Sequence, residues 1–285
     1  MNWKGKKVLI LGLGQYPKGS GISSAIFLVK QGAILRVTDQ KTENDLKANV
    51  ARLRRFKNIK FILGKHRDED IRWADVIVRN PRVRPSSKEM LLASKLGKKI
   101  ESDITLFLEK CPCTVIGVTG TRGKSTTSTL ISEMLKASGK RVWLGGNILV
   151  SPLTFLKNVK PSDIVVLELS SWQLETTGSA GISPHVAVVT NLMRDHLNSY
   201  EGMEDYAEAK AQIFRHQGPD DVLIVNGEDS YCRVFAEQAP GKVIRFSKRK
   251  SPIKKSDVKI PGEHNFLNAS AAALAAMSSG ASKAS

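Results

Sequence analysis

Cysteines, aromatic residues, acidic charge and long apolar runs are all scarce in this sequence of 285 residues. Three cysteines, Cys111, Cys113 and Cys232, cannot build a disulfide framework. Cys111-Pro112-Cys113 also lacks the two-residue spacer of a Cys-x-x-Cys redox or zinc pair. So few cysteines fit a reducing cytoplasm. No apolar run approaches the ~18–20 residues of a membrane helix. The lysines near the start and the run Val8–Leu13 imitate the first half of a secretory signal. That run is short, however, and turns into Gly-x-Gly instead of a small-residue cleavage site. Aromatic residues make up 6%. Few of them stand among the basic residues, which argues against a stacking platform for single-stranded nucleic acid.

The charge is lopsided. Lys and Arg number 44 against 27 acids, a formal net charge of +17. Residues 1–110 hold 24 of the basic residues and only 11 of the acids. Arg52, Arg54, Arg55, Lys57 and Lys60 read as a solvated helix face, with polyanion binding as the sharper alternative. Hydrophobic residues at 41% and charged residues at 25% suit a globular protein. A chain of this length suggests two domains or one large one.

Short β-branched runs alternate with amphipathic stretches. Val8–Leu13, Ala33–Asp39, Lys60–Leu63, Ala74–Val78 and Lys99–Ser102 predict strands, with helices at Ile22–Lys30, Lys47–Phe56 and Glu89–Leu96. Residues 104–113 read as a connection punctuated by Pro112. The cycle then restarts. Strands are expected at Thr114–Val118, Asp163–Glu168, His185–Thr190 and Asp221–Val225, and helices at Ser125–Ser138, Asp205–Phe214 and His264–Met277. This β-α-β repetition predicts an α/β fold with parallel sheets covered by helices. No internal repeat of fixed period is present.

The strongest chemical signal is Gly117-Val-Thr-Gly-Thr-Arg-Gly-Lys-Ser125, set between a strand and a helix. Consecutive backbone N–H groups in such a loop cradle phosphates, and the helix dipole favours negative charge there. Lys124 would reach the terminal phosphates, and Ser125 or Thr126 would hold Mg²⁺. The spacing is one residue longer than the strict P-loop, which wants Gly where Val118 stands. Glu168 closes an apolar strand, where a carboxylate serves either as an Mg²⁺ ligand or as a solvated strand end. Asp195-His196 follows another strand, and His196 gains a metal role only beside Glu168 and the Gly-rich loop. Lys210 reads by pattern as a surface lysine. Gly12-Leu13-Gly14, with Asp39 closing the second strand, hints at a nucleotide-type ligand. The third glycine of the dinucleotide fingerprint is out of place, so a redox cofactor is not supported.

Taken together these residues resemble the Mur ligases, the ATP-dependent amino-acid-adding enzymes of peptidoglycan synthesis. The resemblance rests on Gly117–Thr126, Gly145-Gly-Asn147, Glu168-Leu-Ser-Ser-Trp-Gln-Leu174, Asn191 with Asp195-His196, Tyr206 with Lys210, and Gly262-Glu-His-Asn-Phe-Leu-Asn268. The family's loop uses the longer spacing found here. The segment beginning at Glu168 is most like the D-glutamate-adding branch.

The resemblance implies a Rossmann-like domain over 1–110 that binds a UDP-sugar, followed by a P-loop ATPase-like central domain over 111–285. It implies ATP and Mg²⁺ as cofactors, and UDP-N-acetylmuramoyl-L-alanine and D-glutamate as substrates joined through an acyl phosphate. Lys124, His196 and Lys210 would be catalytic, with a carbamate on Lys210. Gly120, Thr121, Gly123, Lys124, Ser125, Thr126, Asn265 and Asn268 would bind ATP. Ser125, Glu168 and His196 would hold metal. Gly14, Asp39, Asn80, Asn147, Ser170 and Gln173 would face the UDP-linked substrate, with Asn80-Pro-Arg-Val-Arg-Pro85 as a substrate loop. A monomer in the cytoplasm is expected, with no membrane and no nucleic-acid partner.

Departures from the family pattern stand out. Gln15–Ser20 is an insertion, Gly145–Pro152 is longer than usual, and Asn198 stands where many members have Asp. The chain stops on an Ala-rich helix and a Ser/Ala tail, from which we expect a central domain cut short, a third domain missing, and a fragment that keeps some nucleotide binding but little or no ligase activity. Two rivals remain open. One is another Mur ligase or a folylpolyglutamate synthase-like ligase. The other is a basic nucleotide- or RNA-binding module.

Overall fold

A computed structural model describes residues 1–148, 150–195 and 199–282. The chain divides into two units, Met1–Glu109 with Leu149–Lys157, and Lys110–Ile148 with Asn158–Ser285.

The first unit alternates strands β1 (Lys7–Leu11), β2 (Ile34–Asp39), β3 (Ile59–Leu63), β4 (Val76–Arg79) and β5 (Lys99–Glu101) with helices α1 (Ser20–Lys30), α2 (Lys47–Leu53), α3 (Asp68–Trp73), α4 (Lys88–Lys95) and α5 (Asp103–Leu108). All strand pairs are parallel, in the order β3-β2-β1-β4-β5. Val8, Leu9, Ile10 and Leu11 are fully buried. A continuous apolar run of this kind is what a strand covered on both faces by crossover helices requires. The order reverses between β1 and β4, and open α/β sheets bind ligands beyond the carboxyl ends at such a point.

The second unit contains β6 (Thr114–Thr119), α6 (Lys124–Ala137), β7 (Val142–Gly146), β8 (Ile164–Glu168), α7 (Ser171–Ser179), β9 (Val186–Val189), α8 (Met203–Ala211), β10 (Val222–Asn226), α9 (Ser230–Gln238), β11 (Lys242–Phe246) and α10 (Glu263–Ser278). Its sheet is also wholly parallel, ordered β11-β10-β9-β6-β8-β7. The Ala-rich α10 is a packed core element. Ala271, Ala272, Ala275 and Ala276 join Ile131 and Leu135 of α6 in the main cluster, where small side chains let the two helices lie close. Among the described residues no helix is long and apolar enough to cross a membrane.

Three differences from the sequence reading have physical causes. Residues 103–108 form a helix, not a connection. Ser102 accepts from the Thr105 amide while the Thr105 hydroxyl accepts from the Ser102 amide, a capping box that starts α5. The segment 149–157 belongs with the first unit. Phe155 packs edge-on against Phe107 at 5.8 Å between centroids, and the Ser151 amide donates to the Lys18 carbonyl at 2.8 Å. The third glycine of the first turn is present after all. A Cβ on Gly21 would fall 2.2 Å from the Gly12 carbonyl and 2.5 Å from that of Leu13. Gly21 thus gives α1 the close seat on the turn that the fingerprint's last glycine supplies, displaced in sequence by Gln15–Ser20.

Gly21→Ala must push α1 off the turn after β1. We expect a loss of about 1–3 kcal/mol in denaturant unfolding of the first unit. An unchanged midpoint would show that α1 does not depend on this contact.

Candidate functional site

The second unit gathers its polar side chains at the carboxyl ends of β6, β8 and β9. After β6 the chain turns through Gly120–Gly123 and enters α6. The first-turn amides of α6 have no intrahelical acceptor, as at any helix start. Gly123, the N-cap, has φ 83°, a left-handed conformation that disfavours any side chain. Two neighbours forbid bulk in the loop. A Cβ at Gly120 would meet Thr190 Oγ1 at 2.0 Å, and one at Gly123 would meet Asn268 Oδ1 at 2.3 Å.

Thr190 and Asn191, just past β9, pin this loop. The Thr190 hydroxyl donates to the Arg122 carbonyl at 2.6 Å. The Asn191 carbonyl accepts from the Thr121 amide at 2.9 Å, and its side chain both accepts from the Arg122 amide and donates to the Arg122 carbonyl. These holding roles are absent from the sequence reading, which used Asn191 only as a landmark. An Asn directly after a β-branched strand was the available signal.

Two lysines converge on one carbonyl. Lys124 Nζ donates to the Gly120 carbonyl at 2.9 Å and to that of Thr121 at 3.0 Å. Lys210 Nζ, from α8, donates to the same Gly120 carbonyl at 3.1 Å. The pattern placed Lys210 on the surface. The structure buries it to 1% exposure, beside the Tyr206 ring at 4.6 Å from its centroid. Burial lowers its amine to about 7, the Lys124 charge adds to that, and Asp195 opposes it. Burial also lowers Lys124, against the pull of Glu168 and Asp195.

Glu168, at the end of β8, is held from both sides. Ser125 Oγ donates to its Oε2 at 2.6 Å and Asn147 Nδ2 to its Oε1 at 2.9 Å. A hydroxyl and a carboxylate in contact form a hard oxygen pair. Mg²⁺ is bound by one or two carboxylates together with water and substrate phosphates, so the pair fits that ion. Among the described residues no three His, Cys, Asp or Glu side chains gather into a metal site. His196 and Asn198 lie outside the described residues.

The other expected residues fall into place unevenly. The Thr121 side chain turns inward, accepting from the Met193 amide at 3.0 Å. Thr126 lies half-buried in the first turn of α6. Ser170 and Gln173 close the capping box of α7, so their polar atoms have local partners. Asn268 packs on Gly123, whereas Asn265 donates to the Pro261 carbonyl at 2.8 Å.

In the first unit, Asp39 organises the turn after β1. It accepts from the Gly14 and Lys41 amides, both at 2.9 Å. Asn80, after β4, donates to the Gly12 carbonyl at 3.1 Å. Gly14, Asp39 and Asn80 are therefore one cluster at the switch point. Asn49 of α2, unforeseen, donates to the Gly14 carbonyl at 2.7 Å. Arg52, Arg54, Arg55, Lys57 and Lys60 are exposed.

Known proteins resemble the chain over both units. Residues 118–276 match the Mur ligase middle domain and residues 6–102 the N-terminal domain of the MurD-like Mur ligases. The chain is 37% identical to the UDP-N-acetylmuramoylalanine–D-glutamate ligase of Roseiflexus sp., over 98% of this chain and 66% of that protein. It is 39% identical to the protein of that name from Treponema pallidum, over 85% of this chain and 47% of that one. The chain thus spans about half to two thirds of the length of these curated relatives. Its fold is similar to that of a UDP-N-acetylmuramate:L-alanyl-gamma-D-glutamyl-meso-diaminopimelate ligase from Neisseria meningitides, with a TM-score of 0.61 at 17% identity, covering 97% of this chain and 94% of that one. Over more than half its length, and with the loop, the two lysines and Glu168 at the carboxyl ends of a parallel sheet, the chain belongs to the Mur ligase family.

Proposed function

We propose that this chain carries the nucleotide-sugar-binding and ATP-binding parts of a cytoplasmic ligase that joins D-glutamate to UDP-N-acetylmuramoyl-L-alanine in peptidoglycan precursor synthesis. The observation that carries the reading is the convergence of Lys124 and Lys210 on the Gly120 carbonyl, beside the start of α6. Two amines, Lys210 buried and Lys124 half-buried, share one neutral acceptor there, and a triphosphate is the anion that both could meet. The names of the relatives and the sequence after Glu168 support this choice of substrate.

In this reading the first turn of α6 would hold the γ- and β-phosphates of ATP. The first-turn amides and the Lys124 ammonium offset their charge, and this stabilisation deepens as the phosphoryl group transfers. Ser125 and Glu168 would hold Mg²⁺, which supplies further neutralisation of the phosphate oxygens. The L-alanyl carboxylate attacks the γ-phosphorus and ADP departs, leaving an acyl phosphate. The D-glutamate amine then attacks the acyl carbon, phosphate leaves, and the amine loses its proton to give the amide. In the first unit, the cluster of Gly14, Asp39 and Asn80 would receive the uridine end, with Asp39 accepting from a ribose hydroxyl.

Lys210 has a distinct part in this scheme. An amine lowered to about 7 is substantially neutral at physiological pH. Only the neutral amine attacks CO₂, forming a carbamate and releasing a proton. The carbamate would place an anion next to Lys124.

Lys124→Ala removes a charged partner of the phosphates. By calorimetry we expect Mg-ATP to bind roughly ten- to hundredfold more weakly, as befits a lost hydrogen bond to a charged group. UDP-N-acetylmuramoyl-L-alanine should bind as before. Unchanged ATP affinity would remove the loop from the account. Carbamate formation is read directly by NMR with ¹³C-bicarbonate. A carbamate resonance should form at mildly alkaline pH, fade as the pH falls below about 7, and be absent in Lys210→Ala. A signal that persists in the variant, or none in the parent protein, contradicts the assignment.

A further inference from the structure

Cys111-Pro112-Cys113 leads into β6 and has no part in the ligase reading. The structure brings its two sulfurs to 3.6 Å. Pro112 fixes its own φ and disfavours helical backbone at Cys111, so the two side chains are held by a stiff three-residue span. Cys111 is partly exposed. Cys113 is 6% exposed and its thiol lies 3.6 Å from the Thr114 carbonyl. The remaining cysteine, Cys232, is fully buried under β9, with its thiol 3.9 Å from the Val189 carbonyl.

We propose that Cys111 and Cys113 form a thiol–disulfide exchange site that reacts with low-molecular-weight disulfides. Cys111 is the exposed partner and attacks first. Its thiolate displaces one thiolate from the small disulfide, forming a mixed disulfide on Cys111. Cys113 passes its proton to a departing thiolate and attacks the Cys111 sulfur, which expels the second small thiol. Two protein thiols become one disulfide, and the small disulfide becomes two thiols, so electrons and protons balance. The sulfurs close from 3.6 Å to the ~2.05 Å of the bond.

The electrostatics divide the roles in the same way. The hydrogen bond from Cys113 lowers the Cys111 thiol to about 7, against its partial burial. That bond and burial together push Cys113 up, with the Asp163 carboxylate adding to the shift. An attacking thiol is most effective when its pKa lies near ambient pH. Cys232 is pushed up by burial and is an internal control.

The test uses the whole chain and glutathione disulfide, followed by intact mass and peptide mapping. The expected product has lost two hydrogens, carries a bond between Cys111 and Cys113, and keeps Cys232 free. Cys113→Ser should stop at a glutathione adduct on Cys111. Cys111→Ser should react at least about tenfold more slowly, because little thiolate remains. Serine preserves size and hydrogen bonding, and an unchanged melting profile verifies both variants. Free thiols in the parent protein, under conditions that oxidise a reference dithiol, overturn the proposal. So does modification of Cys232 as fast as Cys111, or separate adducts on Cys111 and Cys113 with no bond between them.

Discussion

The candidate site of the second unit depends on the carbonyl of Gly120. It accepts from Lys124 in the adjoining helix and from Lys210, ninety positions further along the chain. Two like charges near one another in a poorly solvated place repel, and the Lys124 charge adds to burial in disfavouring the protonated state of Lys210. The arrangement is tolerated because the rest of the fold over-determines it. Thr190 and Asn191 fix the loop, Asn268 leaves no room at Gly123, and Tyr206 lays its ring against the Lys210 amine. Two amines aimed at one neutral carbonyl are prepared for an anion, as electrostatic preorganisation demands.

Both units solve the same geometric problem with different residues. Each places a glycine turn after its first strand, at the carboxyl edge of a parallel sheet, and secures it from a neighbouring strand end. Asp39 and Asn80 do this in the first unit, Asn191 and Thr190 in the second. In the first unit the securing groups include a carboxylate that accepts amides, which suits neutral hydroxyl ligands. In the second, two amines, those of Lys124 and Lys210, join the neutral groups that face the loop, which suits phosphates. The different ligands proposed for the two units rest on this contrast in charge, not on topology.

Much of this was legible in the sequence, and the failures share a cause. The Gly-rich loop and the strand ending at Glu168 are local signals, and local reasoning read them. The capping boxes that start α5 and α7 are also local, yet the apolar residues after Ser102 and the proline at 112 hid the first. The edge strand β11 and the six-residue helix α3 are too short to show a period, whereas α9 is amphipathic and carries Asp229 as its N-cap, so its signal was available. Lys210 could not be read from its own helix, because its partner lies across the sheet. Gly21 escaped because a six-residue insertion broke the expected spacing, while the packing requirement itself survived. The 3.6 Å between Cys111 and Cys113 was likewise invisible to a rule about two-residue spacers.

The most direct test of the central claim is the titration of Lys210 by NMR of a labelled side chain, in CO₂-free buffer, with and without Mg-ATP. Without nucleotide the amine should titrate at about 7. A bound triphosphate brings negative charge to the loop, so the midpoint should rise by roughly one unit or more, accompanied by proton uptake. A midpoint near the ordinary lysine value in the free protein, or one that nucleotide leaves unmoved, would contradict the account.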